Sequence, residues 1–268
     1  MGPKEGWIAK LRGCLIKDGL EAKDYICVRL EDGKSIQGGN QSWYYARAKK
    51  TDEDAKGHKN SLKRCRNDEN YRLANLGCGV IAMTNLELYL GRTRYGEITK
   101  KQYENAVSEA WKQKYRIGRN YLNLITGLYP WKMEKGLSQF LKERGLSRQR
   151  VKWAPYAIKP IKRQREMVRK AMEEMLAEDY PVVFSYHTFE PKKKGLVLYS
   201  ALEDAEKGTA PTSKDEVIDS HYMTATGIYR TKNGLYVLQT ESWGRIYYVR
   251  FEKFAENLNY FTNILMIW

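Results

Sequence analysis

HYMTATGIYRTKNGLYVLQTESWG, residues 221–244, is the stretch that sets the architecture. Two runs within it, His221–Arg230 and Leu235–Thr240, are rich in β-branched and aromatic residues and read as strands. Thr231-Lys-Asn-Gly234 joins them, and its Asn233-Gly234 favours a tight hairpin turn. Ile246–Phe251 (IYYVRF) and Phe261–Trp268 read as later strands, and Pro181–Tyr186 (PVVFSY) as an earlier one. Upstream the periodicity is helical. A helix opens at Cys78 in CGVIAMTNLELYL, with a rough stripe of Val80, Met83, Leu86 and Leu90, and Gly91 terminates it. Thr99 and Gln102 have capping-box spacing before Tyr103, Ala106, Val107, Ala110 and Trp111. Leu137–Glu143, ended by Gly145, and Gln164–Glu178 complete the helices. Helices therefore precede antiparallel strands, which is the order of an α+β domain.

Residues 1–69 read as an N-terminal arm and basic linker, and residues 70–268 as the main domain. In the arm, Asp24–Leu30 alternates as a strand and Glu31-Asp32-Gly33 is its turn. Thr51–Asn70 is charged and poorly periodic, so a loop is expected there. A polar, acidic stretch at about 190–220 is expected either as a solvated loop or as a lid over a cleft.

Composition narrows the function classes. With 42% hydrophobic residues, seven Trp and twenty Tyr, the chain has the material for a core and is not a disordered one. No run approaches a membrane span, and the N-terminus lacks the apolar segment of a secretory signal, so a cytoplasmic protein with free thiols is expected. The four cysteines (Cys14, Cys27, Cys65 and Cys78) have no zinc-ligand spacing, and neither a metal nor a cofactor is expected. The net charge is +15, and residues 100–170 carry 19 Lys or Arg against 5 Glu. Tyr103, Trp111, Tyr115, Tyr121, Tyr129, Trp131, Phe140, Trp153 and Tyr156 are interleaved with them. The segment is either a solvated basic face or a surface for nucleic acid or another polyanion.

Cys78 is the candidate nucleophile. At the first turn of a helix a thiol feels the positive end of the helix dipole, and free N–H groups there can hold an oxyanion. The same residue also suits a small buried hydrophobe. A thiol nucleophile needs a base, and the chain offers His58, His187 and His221. His58 lies in the charged linker and His187 ends the PVVFSY strand. His221 opens a strand and alternates with the small apolar set Met223, Ala225 and Gly227, which favours it. The hairpin returns Glu241 to the level of His221, where a carboxylate would orient the imidazole, although a surface glutamate at a strand end fits equally. Trp243 is either core filling or a shield over that contact.

Together these segments resemble papain-like cysteine peptidases, and in particular the branch of the bacteriocin leader peptidases and their stand-alone bacterial relatives. The resemblance rests on Cys78-Gly-Val-Ile-Ala-Met, Tyr180-Pro-Val-Val-Phe-Ser, His221 to Tyr229 and Gln239-Thr-Glu-Ser-Trp-Gly244, in family order over about residues 70–250. It implies a helical half, with the nucleophile at a helix N-terminus, packed on a C-terminal antiparallel sheet. It also implies a catalytic Cys78, His221 and Glu241 acting on a peptide or amide substrate; separately, the basic face of residues 100–170 would steer an acidic substrate to the site. Two positions depart from the pattern: Glu241 stands where Asn or Asp is usual, and Arg72 stands six residues before Cys78, where the family has an oxyanion glutamine. An acyltransferase or amidase on the same fold is the nearest alternative. A non-catalytic protein that binds nucleic acid or another polyanion through residues 100–170 is the more distant one.

Overall fold

The computed structural model describes residues 16–48, 68–91, 97–117, 127–146, 149–155, 161–188 and 195–268. The first part holds strands β1 (Ile16–Glu21), β2 (Cys27–Arg29) and β3 (Ser35–Gln37), then a 3-10 turn at Gln41–Tyr44. Helices follow: α1 (Glu69–Leu76), α2 (Cys78–Leu90), α3 (Lys100–Gln113), α4 (Pro130–Glu143) and α5 (Ile161–Ala177). Short strands β4 (Glu97–Thr99) and β5 (Val151–Trp153) interrupt them. The remainder is mostly strand: β6 (Val182–His187), β7 (Leu196–Leu198), β8 (Glu216–Ile218), β9 (Ser220–Thr231), β10 (Tyr236–Ser242), β11 (Arg245–Arg250) and β12 (Asn263–Ile267). Two short helices, α6 (Leu202–Lys207) and α7 (Phe251–Ala255), sit among these strands. The chain is thus α+β as its sequence predicts; the long helices precede the antiparallel strands β6–β12, but β1–β3 come before them. The Thr99–Gln102 capping box forms, and Gly234 takes φ +78° in the β9–β10 turn.

The main sheet runs β11-β10-β9-β6-β12-β5, and β9 is its longest member at 12 residues. One edge of β9 pairs with β10; the other pairs with β6 near its start and with β1 near its end. This corrects the expected arm. Residues 16–48 belong to the main body, because β1 is part of the large sheet and Tyr25, Ile26, Val28 and Tyr44 join the central core. Cys14, His58, Cys65 and most of the expected loop at 51–70 lie outside the described residues, while Glu69 and Asn70 already belong to α1.

Helix α2 is more deeply placed than a one-sided stripe implies. Gly79 through Glu87 are all buried, so this is a central helix with apolar residues around its circumference. It leaves α1 through a bend of 83° at Gly77. Gly77 closes α1 by donating its N–H to Leu73 and opens α2 by accepting from Ile81 through its carbonyl. A side chain there would collide with the Leu73 carbonyl, so the bend that presents Cys78 requires glycine. The acidic stretch at 190–220, where described, is neither a lid nor a free loop. Strands β7 and β8 pair, and Tyr199, Leu202 and Ala205 form a small second core with Val237 of β10. None of its described residues lines the cavity at Cys78.

Candidate active site

The β9–β10 ladder contains an irregularity that decides which side chain meets His221. Gln239 lies opposite Gly227, whereas Thr240 lies opposite Ala225, so Thr226 is an extra residue in β9. Regular pairing would set Glu241 opposite Ala225 and on the face of His221. The bulge sets it opposite Thr224 instead, three residues from His221 and therefore on the other face. The next residue inherits the place. His221 Nε2 and Ser242 Oγ are 2.6 Å apart, and the indole of Trp243 stacks on the imidazole at 4.3 Å between centroids and 20° between planes. Trp243 and Gly244 form the two-residue β10–β11 loop, with φ of +51° and +75°, as a tight hairpin of this kind demands.

The expected contact between Glu241 and His221 is thus replaced by one with Ser242. Glu241 is buried and accepts from Asn85 Nδ2 at 2.6 Å through Oε2 and from the Gly244 N–H at 3.2 Å through Oε1. Asn85 cannot flip without loss, because its Oδ1 accepts from the Tyr103 hydroxyl at 2.6 Å and the Gly39 N–H at 3.2 Å. Burial raises the Glu241 pKa to about 8 against the opposing pull of Gly244 and Asn85.

Cys78 does open α2, and it lines one small cavity with His221. Gln41, Ile81, Ala82, Tyr222, Met223, Glu241, Ser242 and Trp243 complete the lining. The cavity is about 10 Å³, room for about one water molecule. Among the hydrogen bonds of the described residues, none joins the thiol to the imidazole. Burial pushes the Cys78 thiol up, outweighing the N–H groups of Tyr222, Gly79 and Cys78 that favour thiolate. Burial also lowers the His221 pKa to about 3. The closed site therefore holds a neutral thiol and a neutral imidazole rather than an ion pair.

Two residues of this site were not legible in the sequence. Ser242 needed knowledge of the bulge. Gln41 sits on the 3-10 turn, which Asn40 caps by accepting from the Ser42 N–H, and it reaches the cavity from 37 residues before Cys78. It donates through Nε2 to the Ala74 carbonyl at 3.2 Å and is the side-chain amide among the lining residues. Arg72, at the position where the resemblance implies an oxyanion glutamine, instead donates to the Ile117 carbonyl and lies over the Trp111 ring.

His187 is not at the thiol. Its Nδ1 lies 2.8 Å from Ser220 Oγ, and it lines a neighbouring cavity of about 260 Å³ with Leu128, Tyr186 and Phe261. Tyr222 and His221 border both cavities, and the Tyr222 hydroxyl donates to the Leu128 carbonyl at 2.7 Å. Among the described residues no cluster of His, Cys, Asp and Glu is disposed to hold a metal ion, and no single helix is long and apolar enough to cross a membrane.

Most aromatics of the basic segment face inward. Tyr103, Trp111, Tyr115, Phe140 and Trp153 are buried, Trp131 is exposed, and Tyr121 and Tyr156 lie outside the described residues. The charges are largely at the surface, with Lys114 an exception in a buried pair with Glu87.

The chain has no match among protein-family models, curated proteins or solved structures.

Proposed function

We propose that this protein is a cysteine hydrolase of papain-like architecture that cleaves a peptide or amide bond through a thioester on Cys78. The observation that carries this reading is that Cys78, at the N-terminus of a buried helix, and His221 line the same small cavity. His221 is oriented through Nε2 by Ser242 and clamped by Trp243, which leaves Nδ1 for the thiol.

In the mechanism, His221 Nδ1 takes the Cys78 proton as the sulfur attacks the carbonyl carbon. The N–H groups at the start of α2 and the Gln41 amide hold the oxyanion. Collapse breaks the C–N bond, and the imidazolium returns its proton to the departing amine. Water, activated by the same imidazole, then hydrolyses the thioester. Proton transfer within the attack step suits a site whose resting groups are both neutral. Resolution of the same thioester by an amine would make the protein an acyltransferase.

The reading that makes the protein a polyanion binder finds less support, because stacking on single strands needs exposed aromatics and those of the basic segment mostly fill the core.

p-Nitrophenyl acetate, a small activated ester, provides the test. A burst of p-nitrophenolate stoichiometric with protein is expected, followed by slow turnover. The burst should persist at pH 5, where an ordinary imidazole is mostly protonated, because His221 stays neutral to about pH 3. Absence of a burst at every pH from 5 to 9 would count against the proposal. Gln41→Ala is expected to lower the burst rate by about a hundredfold, the usual cost of one oxyanion donor, with unchanged thermal stability. An unchanged rate would remove Gln41 from the oxyanion site.

A further inference from the structure

Glu241 lost its expected place beside His221, yet its surroundings give it another task. Its two oxygens are bonded to two different bodies. Oε2 holds Asn85, which lies seven residues, or nearly two turns, beyond Cys78 on α2 and so shares its face of that helix. Oε1 holds the N–H of Gly244. The residues between Glu241 and Gly244 are Ser242 and Trp243, the two partners of the His221 ring. The carboxyl group therefore spans the short loop that orients the imidazole and ties it to the helix that carries the thiol.

Neither end of this tie is free to drift. The Asn85 amide is fixed on its far side by Tyr103 and Gly39. Gly38 closes the remaining side: it has φ +66°, and a Cβ on it would lie 2.5 Å from the Glu241 carboxyl carbon. Burying a carboxyl group so completely is costly even when it holds its proton, and an apolar residue of similar volume would fill the space at less cost. Such a group is a candidate for a role in specifying geometry.

We propose that Glu241 is a positioning residue, a strut between the Cys78 helix and the Ser242–Gly244 loop that sets the separation of thiol and imidazole. The inference rests on the proposed hydrolase reading.

The test compares wild type, Glu241→Gln and Gly38→Ala. Glutamine can accept from Asn85 or from Gly244 but not both, because its –NH₂ is a donor. Gly38→Ala pushes on the carboxyl group directly and leaves the Asn85 and Gly244 residues themselves unchanged. Two rates are measured on each protein: acylation of Cys78 by p-nitrophenyl acetate, and labelling of Cys27 by iodoacetamide. Cys27 does not line the cavity, but on β2 it pairs with Gln37 next to Gly38, so it reports loosening of the strands that pack on Glu241.

Both variants are expected to acylate at least about tenfold more slowly, with the loss in kcat and little change in KM, while Cys27 labelling and circular dichroism stay at wild-type values. Acylation within twofold of wild type in a folded variant would overturn the strut. So would a joint rise in Cys78 and Cys27 reactivity, the mark of a merely structural role. If Glu241→Gln does not fold, Gly38→Ala decides. A His221→Ala control separates the two levels: retained dependence on His221 with normal Glu241→Gln rates defeats the strut alone, and absent dependence on His221 defeats the hydrolase reading and the strut together.

Discussion

His221→Ala is expected to slow acylation of Cys78 by about a thousandfold, within the range that a positioned general base contributes. Burial holds the Cys78 thiol up and the His221 pKa down to about 3, so no thiolate stands ready in the closed site. On the proposed mechanism attack is coupled to removal of the proton, and His221, which lines the same cavity, is the base that accepts it. What survives the substitution is the contribution of the α2 N-terminus and Gln41. Ser242→Ala should lose much less, about tenfold, because Trp243 still holds the ring in its plane. Single-turnover release of p-nitrophenolate checks both. Equal rates for wild type and His221→Ala would show that the thiol reacts without the imidazole.

The second large effect is on stability. Glu241 has a folded pKa of about 8 against an ordinary value of 4.5, so the folded state binds its proton more tightly than the unfolded state does. Its contribution is complete below about pH 4.5 and is lost as pH rises through 8. His221 runs the other way: with a folded pKa of about 3 against 6.5, its contribution is complete above about pH 6.5 and is lost as pH falls toward 3. Each displacement corresponds to about 5 kcal/mol across its window. Together they place a stability maximum on the acid side of neutrality. Urea unfolding of wild type and Glu241→Gln from pH 4 to 9 is expected to show the alkaline decline in wild type only. Parallel curves for the two proteins would mean that Glu241 is already ionised when folded at pH 7. The same variant is expected to react more slowly, so stability and rate part company at this residue.

Local signals proved sufficient for the longer helices and the strands of the central hairpin, and for setting Cys78 and His221 at the start of theirs, but not for β1, the first turn of α1 or the β7–β8 pair. The capping box at Thr99, the glycine that ends the Cys78 helix and the Asn-Gly hairpin are all short-range chemistry, and each is where its residues predict. Placing Cys78 at a helix start and His221 at a strand start needed only the same local patterns. What failed was anything that depended on register or distance along the chain. Period-two alternation carries Glu241 to the face of His221 only if β9 is unbroken. Thr-Ala-Thr-Gly at 224–227 gives no sign that Thr226 will bulge, and one extra residue exchanged Glu241 for Ser242. Gln41 reaches the cavity from a segment that reads as an arm, because β1 and the Tyr25–Tyr44 core residues are held by long-range pairing that no local pattern records. The stripe expected on α2 was likewise too narrow, since a helix covered on every side shows no moment to read.

The central claim is that an acyl group passes through the Cys78 sulfur under the control of His221. Tandem mass spectrometry of the protein quenched in acid after mixing with p-nitrophenyl acetate reads it directly. The acetyl group is expected on the peptide containing Cys78 in wild type, with none there in Cys78→Ala and only a trace in His221→Ala. Acetylation confined to Ser220, Ser242 or Cys27, or a p-nitrophenolate burst undiminished in Cys78→Ala, would contradict it.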